Sequence, residues 1–142
     1  MIDKGMFNIS SKPDTYRVAK AQAILNINPK TARLIAAGDS PKGNIFEAAK
    51  YAATSGAKKT SDLIPYCHPI PIDHIVVNVS VKSQTVIVNV EVKSVWKTGV
   101  EMEALTGACL GILSIYDMLK PVDNSLSIKS CSCLCTASIA NR

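Results

Sequence analysis

Two charged side chains late in an otherwise apolar helical pattern are the first candidates for chemistry. Asp117 and Lys120 are three residues apart, so on a helix they lie on one face, which also carries Leu113. The simplest interpretation is an intrahelical ion pair at the rim, which contributes about 0.2–0.5 kcal/mol. A charge beside a buried interface must be paired or used, however. The position of this pair therefore strengthens the interpretation that it is functional.

A segment bracketed by two prolines, Tyr66-Cys67-His68, is the second candidate. Proline restricts its own backbone and that of the preceding residue, so the segment should be extended and rigid. His68 could donate to a phosphate or act as an acid or base near neutral pH. Zinc is a poor fit because His74 is the only other imidazole and the spacing matches no standard ligand set. A nucleophilic Cys67–His68 pair is disfavoured because adjacent side chains in an extended chain point to opposite sides.

A lysine before a predicted helix is the third candidate. Lys42-Gly43-Asn44 lies in a loop that opens a helix of about four turns ending near Lys59. Free backbone N–H groups, the helix dipole and a lysine together favour a phosphate there. The alternative is a solvated loop lysine. Lys58, at the far end of the same helix, could simply interact with the negative carboxyl-terminal pole.

Two acidic residues open the apolar helical pattern that runs from Thr98 to Lys120. Thr98 and Glu101 fit a capping box, so Glu101 could serve only to start the helix. Glu101 and Glu103 are two residues apart and cannot share a helical face. Both could enter one pocket only from an irregular first turn.

Three closely spaced cysteines, Cys131, Cys133 and Cys135, are predicted to lie on one side of a strand. A soft-metal site is conceivable, but no matching second cluster exists, and we predict no metal site. The total of 5 Cys is odd, which does not fit a secreted disulfide framework. Reduced thiols indicate a reducing compartment, so we expect a cytoplasmic protein.

The periodicity of the sequence indicates the elements that must position these residues. Thr15–Ile27 alternates loosely and predicts a strand, and a short helix follows to Gly38. Two strands with valines at alternate positions flank Ser83-Gln84 and predict an antiparallel hairpin. The order strand, helix, hairpin, helix, strand predicts a single α+β domain over residues 1–142, an antiparallel sheet with helices on one side.

Composition restricts the partners. The net charge of +5 favours an anionic partner such as a phosphorylated metabolite. The scarcity of aromatic residues, 5% of the chain, argues against nucleic acid, and no apolar run is long enough to predict a membrane span. The Thr98–Lys120 helix is apolar around most of its circumference, and a domain this small cannot bury it fully. We therefore predict an oligomer.

Four motifs in a fixed order resemble one known family, the cyclic pyranopterin monophosphate synthase or MoaC family of molybdenum-cofactor biosynthesis. The resemblance covers about Phe7 to Asp123. It implies a ferredoxin-like α+β fold in a homohexamer, a trimer of dimers with active sites between subunits. The implied reaction is a lyase-type conversion of (8S)-3′,8-cyclo-7,8-dihydroguanosine 5′-triphosphate to cyclic pyranopterin monophosphate and pyrophosphate, for which we predict no cofactor. The motifs are Lys42–Phe46, Asp62–Pro69, Lys97–Thr106 and Ile115–Lys120.

The resemblance also implies roles for individual residues. Asp117 would be the catalytic acid or base, Lys120 its partner, and Lys42 a further catalytic residue. The substrate-binding residues implied are Tyr66, Cys67, His68, Glu101, Met102, Glu103, Arg17 and Lys58.

The carboxyl terminus departs from the family. Members usually carry a glycine-lysine loop after the final strand, whereas Lys129-Ser130 is followed here by the cysteine-rich segment. We predict that residues 130–142 are an atypical tail, less ordered than the rest, with weaker turnover as a consequence, and that residues 1–14 are flexible. This departure keeps an alternative open, a non-catalytic ferredoxin-like module that binds a nucleotide or a metal such as copper.

Overall fold

The protein folds around one four-stranded antiparallel sheet. A computed structural model describes residues 4–140. The strands are β1 (Thr15–Asn26), β2 (His74–Lys82), β3 (Thr85–Trp96) and β4 (Ser127–Ala140), and the helices are α1 (Pro29–Ala36), α2 (Ile45–Lys58), α3 (Thr60–Leu63) and α4 (Glu101–Leu119). The strand order is β2-β3-β1-β4. With its helices between β1 and β2 and between β3 and β4, the chain has the ferredoxin-like topology, which confirms the predicted fold class.

One face of the sheet is buried by the helices. The alternation predicted for the first strand is confirmed, with Ala19, Ala21 and Ala23 at no more than 1% exposure. Across the sheet Ala21 pairs with Val90 and Ala23 with Val88. Small residues on the central strand leave room for a helix to approach, and the β3 valines supply the apolar area that this helix covers.

Helix α4 approaches the sheet and α2 closely because it carries two glycines at its contact face. A Cβ at Gly107 would lie 3.1 Å from the Ala53 carbonyl oxygen, and one at Gly111 would lie 3.0 Å from a Val88 methyl. Gly107 lies next to Ala57 and Ala53, whereas Gly111 lies next to Ala53 and the carbonyl of Ala49. The two helices are therefore antiparallel, and the amino end of α2 lies beside the carboxyl end of α4.

The apolar character of α4 follows from this packing. Among the described residues α4 alone is long and apolar enough to span a membrane by length and composition, but half of it is buried inside the protein. Core helices of soluble proteins have this composition too, since they are covered on more than one side.

The prediction for the carboxyl-terminal segment is wrong. Residues 130–140, expected to be a poorly ordered tail, form most of β4, which pairs with β1 from Thr15 to Asn26. The residues that follow Lys129 are thus the final strand itself and not a segment after it. The predicted flexibility of residues 1–14 remains a prediction: residues 4–14 lie outside any helix or strand, and Met1–Asp3, like Asn141 and Arg142, fall outside the described residues.

The three neighbouring cysteines do not share one side of β4. Cys131 pairs with Ala23, and Cys133 with Ala21, on the helix-covered face. A register shift between Lys20 and Ala21 then pairs Cys135 with Lys20 on the opposite face. A bulge of this kind reverses the alternation of side chains. In residues 4–140 no group of three or more His, Cys, Asp or Glu side chains could hold a metal ion.

Candidate active site

Six of the predicted site residues line one cavity at the amino end of α4. This amino-end cavity has a volume of about 590 Å³. The loop after α3 supplies one wall, the first turn of α4 a second, and the segment before β1 a third. This loop turns at Pro65 and Tyr66, with Cys67 N–H donating to the Ile64 carbonyl, so the prediction of an extended segment is wrong there. The predicted residues that line it are Tyr66, Cys67, His68, Glu101, Met102 and Glu103, joined by Phe7, Asn8, Ile9, Lys12, Ile70, Thr98 and Gly99.

Glu103 is the most perturbed carboxyl group in the cavity. The residue is only 3% exposed, and burial, reinforced by the nearby charge of Glu101, raises its pKa to about 7. Among the described side chains its Oε2 atom is one of the few buried polar atoms without a hydrogen-bond partner. A carboxyl group that titrates near neutral pH can give or take a proton during a reaction.

Glu101 and Glu103 both line the cavity from a helix that is regular from Glu101 onward, so the prediction that this needs an irregular first turn is wrong. The predicted capping box between Thr98 and Glu101 does not form. The N-cap residue is Val100, which makes no side-chain cap hydrogen bond, so Thr98 lies outside the helix. The carboxylate of Glu101 instead folds back over Gly99, where a Cβ would collide with it. Glycine at this position therefore makes room for the carboxylate that helps to raise the pKa of Glu103.

His68 is oriented by the backbone of the amino-terminal segment. Its Nε2 atom lies 2.6 Å from the carbonyl oxygen of Phe7. A carbonyl oxygen can only accept, so Nε2 donates and carries the proton. In the neutral ring Nδ1 is then left as the acceptor.

Cys67 lines the same cavity but is not set up as a nucleophile. Burial, and then the charges of Glu103 and Glu101, raise the pKa of its thiol. The thiol is therefore neutral near pH 7, whereas a nucleophilic cysteine needs a lowered pKa. This agrees with the sequence interpretation, which disfavoured a Cys67–His68 pair.

The other catalytic candidates form a separate group, the carboxyl-end cluster of Lys42, Asp117 and Lys120. Both lysine Nζ atoms lie 2.9 Å from the Asp117 carboxylate, Lys42 at Oδ2 and Lys120 at Oδ1. The hydrogen bond from Lys120, followed by that from Lys42, holds the pKa of Asp117 below its usual range. All three side chains are at least 43% exposed, so the ion pair of Asp117 with Lys120 is not buried. Because Lys42 also contacts Asp117, the interaction is not confined to α4.

Neither of the two remaining basic candidates, Arg17 and Lys58, lines the cavity. Arg17 lies in a neighbouring groove of about 330 Å³ that shares Lys12 and Glu101 with the amino-end cavity. Its guanidinium donates to the carbonyls of Trp96 and Lys97 at 3.4 and 3.5 Å. Lys58 is exposed at the carboxyl end of α2 and is not among the residues that line the cavity.

The two groups cannot meet within one chain. Glu103 and Asp117 are fourteen residues apart on the continuous helix α4. At 1.5 Å per residue this separation is about 21 Å along the helix axis. The structure thus brings the predicted residues together in two clusters at opposite ends of α4.

A known family model covers the part of the chain that holds both clusters. The model of the MoaC family matches residues 6–137, which include the amino-end cavity and the carboxyl-end cluster. The chain belongs to the MoaC family. Membership confirms the resemblance that the four motifs indicated.

Relatives in the MoaC family carry a consistent name. A cyclic pyranopterin monophosphate synthase of Aquifex aeolicus is 42% identical over 122 residues, 86% of this chain and 48% of that protein. One of Thermomicrobium roseum is 40% identical over 125 residues, 87% of this chain and 75% of that protein. A probable cyclic pyranopterin monophosphate synthase of Pyrococcus furiosus is 42% identical over 118 residues, 83% of this chain and 76% of that protein. The chain thus spans about half the length of the Aquifex relative and about three quarters of the other two.

The amino-terminal segment is part of the site, although no motif in the sequence predicted this. Phe7, Asn8, Ile9 and Lys12 form one wall of the cavity, although residues 1–14 were expected only to be flexible. Lys12 was the available signal, since a lysine three residues before a predicted strand lies at the end of the sheet. The contribution of Phe7 is a backbone carbonyl, which no side-chain pattern reveals.

Proposed function

We propose that this chain is a cyclic pyranopterin monophosphate synthase of molybdenum-cofactor biosynthesis, a lyase. It would convert (8S)-3′,8-cyclo-7,8-dihydroguanosine 5′-triphosphate to cyclic pyranopterin monophosphate and release pyrophosphate. The observation that carries the proposal is the amino-end cavity, in which a carboxyl group with a pKa of about 7 and an oriented histidine lie together, in a chain of the MoaC family. These are the groups that a proton-transfer rearrangement needs.

The complete site is proposed to form between two subunits. The amino-end cavity and the carboxyl-end cluster are about 21 Å apart on one helix, yet catalysis by Asp117 requires both. An antiparallel second copy of α4 would place Asp117 of the partner subunit beside the cavity. Leu110 lies midway in sequence between Glu103 and Asp117, so a two-fold axis near Leu110 satisfies this condition for both subunits at once.

An exposed apolar patch at the same place supports this arrangement. The apolar patch consists of Tyr51, Leu63, Leu110 and Leu113, which border a depression between α2, α3 and α4. Tyr51 is 80% exposed, Leu63 56% and Leu113 51%. Large apolar side chains grouped on a surface indicate an association surface, and this patch surrounds the residue through which the two-fold axis would pass.

The charges of such a shared site suit a triphosphate. The carboxyl-end cluster carries two ammonium groups and one carboxylate, so one positive charge remains for a phosphate. Lys12 lines the cavity and Arg17 lies in the neighbouring groove, and together they add two more positive charges. Cations that converge from both subunits could hold the phosphates while Glu103, His68 and Asp117 exchange protons with the guanine-derived part.

The dimer is proposed to assemble further into the homohexamer, a trimer of dimers, that the sequence resemblance implied. The protomer mass is 15.2 kDa, so light scattering separates a monomer from a dimer or a hexamer. A mass near that of one protomer at micromolar concentration would contradict the shared site as well as the hexamer.

The direct test of the activity is incubation of the purified protein with the cyclised triphosphate. Release of pyrophosphate together with an oxidisable pterin is the expected result. Binding of the substrate without pyrophosphate release would instead support the non-catalytic nucleotide-binding module.

A further inference from the structure

Two cysteines from different elements meet at the covered face of the sheet. Cys109 of α4 and Cys131 of β4 have their Sγ atoms 2.9 Å apart. The Cys131 thiol also lies 3.8 Å from the carbonyl oxygen of Leu105, one turn earlier on α4. Both cysteines are unbonded thiols in this structure. A separation this small means that the helix and the strand already hold the two sulfur atoms almost at bonding distance.

We propose that Cys109 and Cys131 are an oxidation site at which a hydroperoxide, such as hydrogen peroxide, forms an intrachain disulfide. The exposed Cys109 thiol gives up its proton and attacks one peroxide oxygen; the O–O bond breaks, and the leaving hydroxide takes up that proton, so that a sulfenic acid and water result. The sulfur of Cys131 then attacks the sulfur of Cys109, and the sulfenic oxygen leaves as a second water. Two thiols and one hydrogen peroxide thus give one disulfide and two water molecules.

The two cysteines are suited to these different roles. Cys109 is exposed, so a small oxidant can reach it. Burial, and then the contact with Cys109, raise the pKa of Cys131 to about 12. Cys131 is therefore a poor first nucleophile but is well placed to resolve the sulfenic acid on its neighbour. Cys109 is about 100° around the helix from Leu110, toward β4 and away from the proposed subunit contact.

The other cysteines lack such a partner. Cys133 and Cys135 are exposed on β4, and the β-bulge sends Cys135 to the opposite face of the sheet. Cys67 lies in the amino-end cavity. Cys109 is therefore expected to pair with Cys131 alone, although three cysteines lie within five residues on β4.

A disulfide here would fasten an edge strand to the central helix. In the described part of the chain β4 is hydrogen-bonded to one strand only, β1. A covalent link from β4 to α4 would close the loop between residues 109 and 131 and restrict the unfolded chain. This inference concerns residues outside both clusters of the proposed site, so it stands or fails separately from the proposed function.

The test is peroxide treatment of the full chain, followed by alkylation of free thiols, trypsin digestion and mass spectrometry without reduction. Cleavage after Lys129 separates the peptide with Cys109 from the peptide with Cys131, because the Lys120–Pro121 bond resists trypsin. A cross-linked pair of these peptides, two hydrogen masses lighter than their sum, is expected. The Cys133→Ser/Cys135→Ser double variant should retain it, whereas Cys109→Ser and Cys131→Ser should each lose it.

The thermal midpoint provides a second readout. In the double variant, oxidation should raise Tm by roughly 5–10 °C, and a reducing agent should reverse the rise. Cross-linking of Cys109 to a second Cys109, persistence of the cross-link in Cys131→Ser, or an unchanged Tm after complete oxidation would each overturn the proposal.

Discussion

Mixing two inactive variants should restore activity if each site is shared between subunits. Glu103→Gln removes the near-neutral acid of the cavity, and Asp117→Asn removes the carboxylate of the carboxyl-end cluster. Each variant alone should lose about 10²–10⁴-fold in turnover while it still assembles. In a hybrid dimer both lesions fall in the same site, and the other site has an intact Glu103 from one chain and an intact Asp117 from its partner.

The size of the rescue follows from the geometry. Random association of equal amounts gives half hybrid dimers, each with one intact site of two, so total activity should reach about a quarter of wild type. This exceeds either variant by roughly 25-fold to 2,500-fold, given the range expected for each single loss. If each site lay within one chain, mixing could not restore activity, because every chain in the mixture carries one of the two substitutions. The roughly 21 Å between Glu103 and Asp117 on α4 is what points to a shared site.

The assay needs demonstrated hybrids and a matched control. Co-expression with two different affinity tags isolates hybrids, and pyrophosphate release measures turnover. The control pairs Glu103→Gln with His68→Ala, two lesions in the same cavity, for which no hybrid site is intact. If tag-purified Glu103→Gln/Asp117→Asn hybrids turn over no faster than this control, the two-subunit site is refuted.

Three further predictions concern single groups. Burial raises the pKa of Glu103 to about 7. The free energy of unfolding of wild type should therefore fall by about 3 kcal/mol, relative to that of Glu103→Gln, as pH rises from about 4.5 through 7. The same difference between wild type and Glu103→Gln at pH 4 and at pH 8 would contradict this. ¹⁵N NMR should find neutral His68 protonated at Nε2, and a protonated Nδ1 would remove the role given to the Phe7 carbonyl. Leu113→Asp should dissociate the oligomer in light scattering, whereas Leu134→Asp, an equally exposed leucine on β4, should not.

Periodicity predicted the fold because it reports burial. The alternation in β1 predicted a strand, and the alternate valines of the hairpin predicted one buried face; the helices cover that face in the structure. The predictions fail at single residues, one that shifts the strand register of β4 against β1 and one at the start of α4. A bulge at Lys20/Ala21 separates Cys135 from the other thiols, and nothing in the alternation of β4 signals it. Helix α4 begins at Glu101 and not next to Thr98, and the Glu101 carboxylate lies over Gly99 rather than capping the helix.

The sequence singled out the candidate residues but predicted their grouping only in part. Six of them line one cavity and three form the carboxyl-end cluster, while their roles stay predictions. The contact between Lys42 and Asp117 depends on the antiparallel packing of α2 and α4, a tertiary fact. The separation of Glu103 from Asp117, by contrast, was already implied by fourteen helical residues at 1.5 Å each.

The state of Glu103 also indicates how the cavity could accept an anion. A fully charged pair, Glu101 and Glu103, would repel the phosphates of the proposed substrate. With its pKa near 7, Glu103 is protonated in a large fraction of molecules at neutral pH, which reduces this repulsion. The negative charge of an incoming phosphate raises the pKa of a nearby carboxyl group further. Substrate binding would therefore favour the protonated form, so Glu103 should begin the reaction as an acid, and the acceptor Nδ1 of His68 is the group left to act as a base.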